Sequence, residues 1–363
     1  MDGRMRILYV TRHFNHSGRV ILERLIKEGF HIAAVLLHED DDPWRHPWAG
    51  LRRRLWYRLK CAYYRCPPIR NTISEERIAR RQGLPIIYAD SIKSDRFYAD
   101  LQALDPDIIV LGGGWHELLP ERVYNYPRLG CINTHPSLLP MFRGTSITRW
   151  QVLHGVEGSG STIHYVDDRF DTGGALAQKR IGVRSDWSPQ RLFLELGRVG
   201  ADIMVPLLRA FEREGRQVPF NVDHDPTYYR YFKRWTWSVD RLAIDWAKPL
   251  REVHYFILAC TQESYEYLGP HTTIGGKRFI LRTSRLREVT PAMAACSGRQ
   301  EGLVVVARDR HGLTVHRRGE PVALELGISQ IFDAAYARRR GRPLSRMVPL
   351  DVGHTFTPIM ERQ

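Results

Sequence analysis

Short unbroken apolar runs alternate with stretches in which apolar residues recur every three or four positions. Runs at 6–10, 31–37, 85–88 and 107–111 have the near-continuous apolar character of strands buried on both faces. Between the first two, Val20, Ile21, Leu25 and Ile26 mark a helix over 18–29, stopped by Gly29. Further helices are predicted over 74–82, ended by Gly83, and over 95–104. Such alternation predicts an α/β unit with a doubly wound, mostly parallel sheet. A shorter run, Cys131-Ile132-Asn133, predicts one more strand. A long helix over 191–214 then carries Leu192, Leu196, Val199, Ile203 and Leu207 on one face, and Gly215 ends it.

The pattern changes after that helix. Residues 216–243 read as a linker rich in aromatics (Tyr228, Tyr229, Tyr231, Phe232, Trp235, Trp237), suited to packing or to lining a pocket. Ile244-Asp245-Trp246 opens a smaller unit over 244–350, with a helix over 250–261. Gly-broken β-rich runs at 272–281, 302–307 and 312–315 follow, which suits a small barrel-like domain. Residues 351–363 form a tail. A chain of 363 residues is long enough for two domains with their own cores, here 1–215 and 244–350.

The candidate chemistry lies where a buried strand turns polar. Side chains alternate along a strand, so Asn133 and His135 point to the same side, and Pro136 ends the strand. Gly112-Gly113-Gly114 closes the preceding strand, and Asp171 sits among small residues in Asp171-Thr172-Gly173-Gly174. An open α/β sheet places its chemistry at such strand ends. An Asn amide donates to a developing oxyanion, a His holds or moves a proton, and an Asp positions and charges that His. No Ser or Cys stands in a nucleophile setting, which favours direct transfer over a covalent enzyme intermediate. The same three residue types also serve as turn and cap residues, and spacing alone leaves both readings open.

The run Asn133-Thr134-His135-Pro136-Ser137-Leu138-Leu139-Pro140, then Phe142-Arg143-Gly144 and Asp171-Thr172-Gly173, resembles the signature of the folate-dependent formyltransferases. That family includes methionyl-tRNA formyltransferases, glycinamide ribonucleotide transformylases and sugar-nucleotide N-formyltransferases. The likeness runs from the opening strand to the module beginning near 244. It implies a Rossmann-like formyltransferase fold, a catalytic domain over 1–215, and Asn133, His135 and Asp171 as the catalytic three. It also implies 10-formyltetrahydrofolate as formyl donor, a donor pocket shaped by Gly114, Leu118, Ser137, Leu138, Leu139, Pro140 and Asp167, and no need for a metal. For the acceptor, a small amine such as an amino-sugar nucleotide is preferred. Pro136 stands where methionyl-tRNA enzymes carry Gly, and Thr145-Ser146-Ile147-Thr148 departs from their Ala-rich continuation. Initiator methionyl-tRNA is the alternative, and a non-catalytic binding or scaffold protein is the third reading. A small acceptor needs only the pocket between His135, Asp171 and the linker aromatics, so truncation near Val239 is expected to spare much of the turnover with an amino-sugar nucleotide, provided the first domain stays folded.

Charge and the remaining motifs narrow the class without choosing the acceptor. A formal charge of +14 suits an anionic partner, whether RNA, a nucleotide or a folate tail. The insert over 42–70 adds Trp44, Trp48, Arg52, Arg53, Arg54, Trp56, Arg58 and Lys60. It reads as a packed surface helix, an RNA contact or a partner- or membrane-docking helix, all three open. The run 338–342 reads as a solvated tail. No G-x-G-x-x-G follows the first strand, which counts against a dinucleotide. Cys61, Cys66, Cys131, Cys260 and Cys296 show no zinc spacing. With no apolar run of the roughly 18–20 residues that span a bilayer and too short a start for a signal peptide, a reduced, cytoplasmic protein is expected.

Overall fold

The computed structural model describes residues 4–12, 15–38, 75–89, 91–115, 117–215, 217, 231–235, 240–261, 269–274, 277–309, 312–331 and 352–355. The insert over 42–70 with Cys61 and Cys66, the linker aromatics Tyr228, Tyr229 and Trp237, and the run 338–342 lie outside the described residues.

In chain order the larger unit runs β1 (Arg6–Thr11), α1 (His16–Lys27), β2 (His31–His38), α2 (Glu75–Arg81), β3 (Ile86–Ala89), α3 (Asp95–Leu104) and β4 (Ile108–Leu111). It continues with α4 (Glu121–Tyr124), β5 (Cys131–His135), β6 (Arg143–Gly144), α5 (Ile147–Leu153), β7 (Gly158–Tyr165), β8 (Ala175–Gly182) and α6 (Pro189–Glu214). Seven strands form one sheet in the order β3-β2-β1-β4-β5-β7-β8. Strands β3 through β5 are parallel, and β7 and β8 add on antiparallel. The sequence pattern did not announce β7, because Gly158-Ser159-Gly160-Ser161-Thr162 offers no apolar alternation.

Alternation along the parallel strands sorts their side chains into two cores. Ile7, Tyr9, Val35, Val110 and Ile132 share one apolar cluster with Ile21, Leu25, Met204 and Phe211 of α1 and α6. Leu8, Val10, Leu36, Ile109, Leu111 and Cys131 share the other with Phe97, Leu101 and Val123 of α3 and α4. A strand buried on both faces needs a helical layer on each, and the cores supply it. Helix α1 starts at His16, two residues before the predicted position, because the Asn15 side chain caps it by accepting from the Gly18 N–H at 3.1 Å. Helix α6 likewise starts at Pro189, with Ser188 as its cap.

After α6 come β9 (Tyr231–Phe232), α7 (Leu250–Cys260), β10 (His271–Ile274), β11 (Lys277–Glu288), α8 (Pro291–Ser297), β12 (Leu303–Arg308), β13 (Gly312–Arg317) and β14 (Val322–Ile331). The β-rich run expected over 272–281 comprises β10 and the start of β11, paired antiparallel. The five strands order as β10-β11-β14-β13-β12. The smaller unit is therefore strand-rich as expected, while among the described residues its sheet stays open between β10 and β12 rather than closing as a barrel. Its core packs Trp246, Leu250, Val253 and Ile257 on Phe279, Leu281, Val305 and Leu324.

Helix α7 also faces the larger unit. Leu258 and Ala259 join Val152, Leu192 and Leu196 in a shared apolar cluster, and Arg149 donates to the Ala259 carbonyl at 2.6 Å. Among the described residues no helix is long and apolar enough to cross a membrane.

Candidate active site

Strands β4 and β5 end side by side, with Leu111 opposite Asn133. Ile132 and Thr134 turn towards α6, where Gly200 gives them room: a Cβ there would come within 2.7 Å of Thr134 Cγ2. Cys131, Asn133 and His135 therefore share the opposite face, as alternation requires. Antiparallel pairing with β7 sets His164 opposite Asn133 and Thr162 opposite His135. Asp171 reaches the same face from the loop after β7, held in a left-handed backbone turn at φ 57°.

The ring nitrogens of His135 both meet groups that only accept. Nδ1 lies 3.3 Å from Asp171 Oδ1, and Nε2 lies 2.9 Å from the Phe142 carbonyl. An imidazole with acceptors on both sides is satisfied in full only as the doubly protonated cation. Burial opposes that charge, but Asp171 and the Phe142 carbonyl outweigh it and raise the His135 pKa above its ordinary value. Asp171 shows the converse. Burial would raise its pKa, yet the charge and hydrogen bond of His135, with His164 and the Gly144 N–H (2.9 Å to Oδ2), bring it down to about 2.

His164 is held in the other state. Its Nδ1–H donates to the Tyr165 carbonyl at 2.7 Å, leaving Nε2 to accept from the Asn133 amide at 3.1 Å. Burial is the leading cause that lowers its pKa, which keeps the ring neutral and able to accept. One Asn133 N–H is thereby fixed and the second remains for a ligand. The site thus combines a buried cation, its carboxylate partner and a pre-oriented amide donor. Such an arrangement stabilises negative charge developing on a carbonyl oxygen.

Among the expected donor-pocket positions, Leu118 and Asp167 line a cleft beside Asn133, His164 and Asp171, together with Leu111, Trp115, Leu119, Val166 and Phe170. Ser137 and Leu139 turn their polar groups into the loop instead. Ser137 Oγ donates to the Met141 carbonyl at 2.6 Å, and the Leu139 N–H donates to Thr162 Oγ1 at 3.0 Å. Leu138 packs on Gly160, and Pro140 continues the same turn. Gly114, at φ 82°, lies against the Asn15 amide. Asp167 accepts from Thr172 Oγ at 2.6 Å and so shapes the loop that delivers Asp171. Trp115 keeps a buried indole N–H with no partner among the described residues.

A profile of the formyl transferase family matches residues 67–207, the span that contains every side chain of this network. Over that span the chain resembles the formyl transferase family, and formyl transfer is the chemistry the likeness supports. The methionyl-tRNA formyltransferase of Syntrophus aciditrophicus (strain SB) is 29% identical over 266 residues, which cover 70% of this chain and 78% of that protein. Two solved structures share the fold. WlaRD, a sugar 3N-formyl transferase solved with dTDP and 5-N-formyl-THF, aligns at a TM-score of 0.60 and 16% identity over 89% of this chain and 97% of its own. An N-formyltransferase from Helicobacter canadensis, in complex with folinic acid and dTDP-3-aminofucose, aligns at 0.60 and 14% over 90% and 99%. At such identities the likeness is one of fold.

The sequence reading missed His164, Trp115 and the carbonyl of Phe142. His164 stands seven residues before Asp171, but only the register of β7 on β5 shows that it faces Asn133.

Proposed function

We propose that this formyltransferase moves the formyl group of 10-formyltetrahydrofolate to the primary amine of a small acceptor, an amino-sugar nucleotide being the leading class. The observation that carries the reading is His135 set between two acceptors, Asp171 and the Phe142 carbonyl, which favour its protonated form, beside the spare N–H of Asn133. The cleft suits the donor: Leu111, Leu118, Leu119 and Val166 offer apolar walls to a flat ring, and the unpartnered Trp115 N–H is a donor for one of its acceptors.

Bound there, the folate supplies an electrophilic formyl carbon and a nitrogen leaving group. Asn133 donates its second N–H to the formyl oxygen as charge develops on it, and the His135 cation stabilises the same charge. Asp171 keeps His135 protonated and helps relay the proton lost by the acceptor amine towards the leaving nitrogen. His164 fixes the Asn133 amide. Arg143 and the exposed edge of Tyr231, paired across β6 and β9 next to Asp171, would bound the acceptor side.

The Syntrophus relative is named a methionyl-tRNA formyltransferase, which supports a second reading with charged initiator tRNA as acceptor. Pro136 and the 145–148 stretch favour the small amine. Tetrahydrofolate release, followed with a panel of dTDP- and UDP-linked amino sugars and with methionyl-tRNA, decides between them. Saturable turnover is expected with at least one amino sugar and none above background with the tRNA. The reverse pattern would replace the first reading by the second.

A further inference from the structure

We propose that Phe232, on the β9 strap far along the chain from the signature, is a positioning residue for formyl transfer. By stacking on Phe142 it holds the backbone carbonyl that faces His135 Nε2. The inference rests on the proposed role of His135 and adds a residue that no part of the signature contains.

The carbonyl needs holding because Phe142 is a non-glycine residue at φ 55°, a left-handed conformation that L side chains rarely adopt. In that turn its C=O points back to His135 at 2.9 Å and also accepts from Ser137 Oγ at 3.4 Å. The Phe142 ring lies 5.1 Å from the Phe232 ring with planes 18° apart. His154 meets the edges of both, at 5.7 and 5.6 Å. Trp150 closes the stack from beyond, 5.4 Å from Phe232 and 4.7 Å from Trp235, with its indole N–H on the Lys233 carbonyl at 3.0 Å.

Backbone contacts tie strap and loop together as well. Gly144 pairs with Phe232 across β6 and β9, and the Thr145 N–H donates to the Phe232 carbonyl at 3.0 Å. A Cβ on Gly144, at φ 111°, would come within 2.1 Å of that carbonyl oxygen, so only glycine permits the approach. The same Gly144 donates its N–H to Asp171. The strap therefore braces the acceptors on both sides of His135.

The consequence is a charge state set from a distance. His135 faces Asp171 from the loop after β7, Arg143 from β6 and neutral His164 from β7, and the Tyr231 phenol of β9 acts on Asp171 and Arg143. Asp171 and the Phe142 carbonyl favour the cation; burial and Arg143 oppose it. Losing the carbonyl tips this balance towards the neutral ring. A group active when protonated works below its pKa, so a lower pKa moves the alkaline limb of kcat to lower pH.

The test replaces Phe232 by Leu, which keeps apolar bulk and loses the flat ring, and by Tyr, which keeps the ring. The imidazole titration of His135 is followed by nitrogen-15 NMR on the full chain, alongside the pH profile of kcat. Phe232→Leu is expected to lower the His135 pKa by about one unit and to shift the alkaline limb with it, cutting the charged fraction roughly tenfold above both values. KM for the folate should stay close to wild type, and Phe232→Tyr should restore both curves. A loss of kcat uniform in pH with the His135 titration unmoved would reduce Phe232 to ordinary packing and overturn the proposal. A titration that moves while kcat does not would uphold the positioning and overturn the role of His135. If Phe232→Leu folds poorly, Phe142→Gly keeps the left-handed turn without the ring. Phe232→Tyr in that background should then leave the titration where Phe142→Gly put it, and a further shift there would contradict the ring-to-ring route.

Discussion

Replacing His135 by Ala is expected to lower kcat roughly a hundred- to a thousandfold, the usual cost of losing one directed donor at a developing oxyanion. The dissociation constant for the folate should change little, because the proposed work of His135 is on the transition state. Some stability should be lost as well, because the ring is 3% exposed and its removal leaves a cavity and a buried Asp171 carboxylate held chiefly by the Gly144 N–H. Asp171→Asn should give a loss of similar size with a different pH dependence. Without the carboxylate, the His135 pKa falls from its raised value, so the defect deepens as pH rises and shrinks at acid pH. Ser137 and Thr162 offer no substitute, as their hydroxyls are spent on the Met141 and Ser137 carbonyls. Steady-state kinetics over a pH series, with folate binding measured separately, checks both variants. Near-normal turnover in either would remove the proposed mechanism.

Ending the chain before Asp240 is expected to abolish turnover with every acceptor, small or large. The sequence presents the C-terminal unit as separable and predicts the opposite. The packing of α7 on the larger unit argues against that expectation. Leu258 and Ala259 of α7 complete an apolar cluster with Val152, Leu192 and Leu196, and each large aliphatic side chain so exposed costs about 1.5–3 kcal/mol. Arg149 would also lose its acceptor on Ala259. Both losses reach α5, through Val152 and Arg149, and α5 directly follows the loop carrying Phe142 and Gly144. Leu258→Asp, in the full chain, is the milder version. It buries a carboxylate in the shared cluster and should lower both the unfolding temperature and kcat. A truncate that folds with cooperative unfolding and full activity on a small amine would show that α7 is not needed to brace α5.

What could be read from residue order follows physical range. Local periodicity located β1, α1, β2, α3 and β4 within about two residues, because the apolar rhythm of each is written in neighbouring residues even where its pairing, as of Ile7 with Ile108, is distant. Asn133 and His135 were readable as a pair for the same reason, since strand alternation is local. His164 was not, because its place opposite Asn133 depends on antiparallel register between β5 and β7, and β7 lacks an apolar rhythm to announce it. Asp171 stood out by its loop of small residues, but its backbone turn and its bond to Gly144 are tertiary. The strap is the extreme case. Two residues, Tyr231 and Phe232, form a strand too short for any pattern, yet they brace the loop on which the His135 charge depends.

The central claim is direct transfer of a formyl group to an amine by the Asn133, His135 and Asp171 arrangement. A single-turnover experiment with carbon-13-formyl-labelled 10-formyltetrahydrofolate, quenched over time and read by NMR with an amino-sugar nucleotide present, tests it most directly. The label should leave the folate and appear as an N-formyl amide in one kinetic phase, with none on the protein and with the phase lost in His135→Ala. Label that accumulates on the polypeptide, or leaves as free formate at a rate indifferent to the acceptor, would contradict the account.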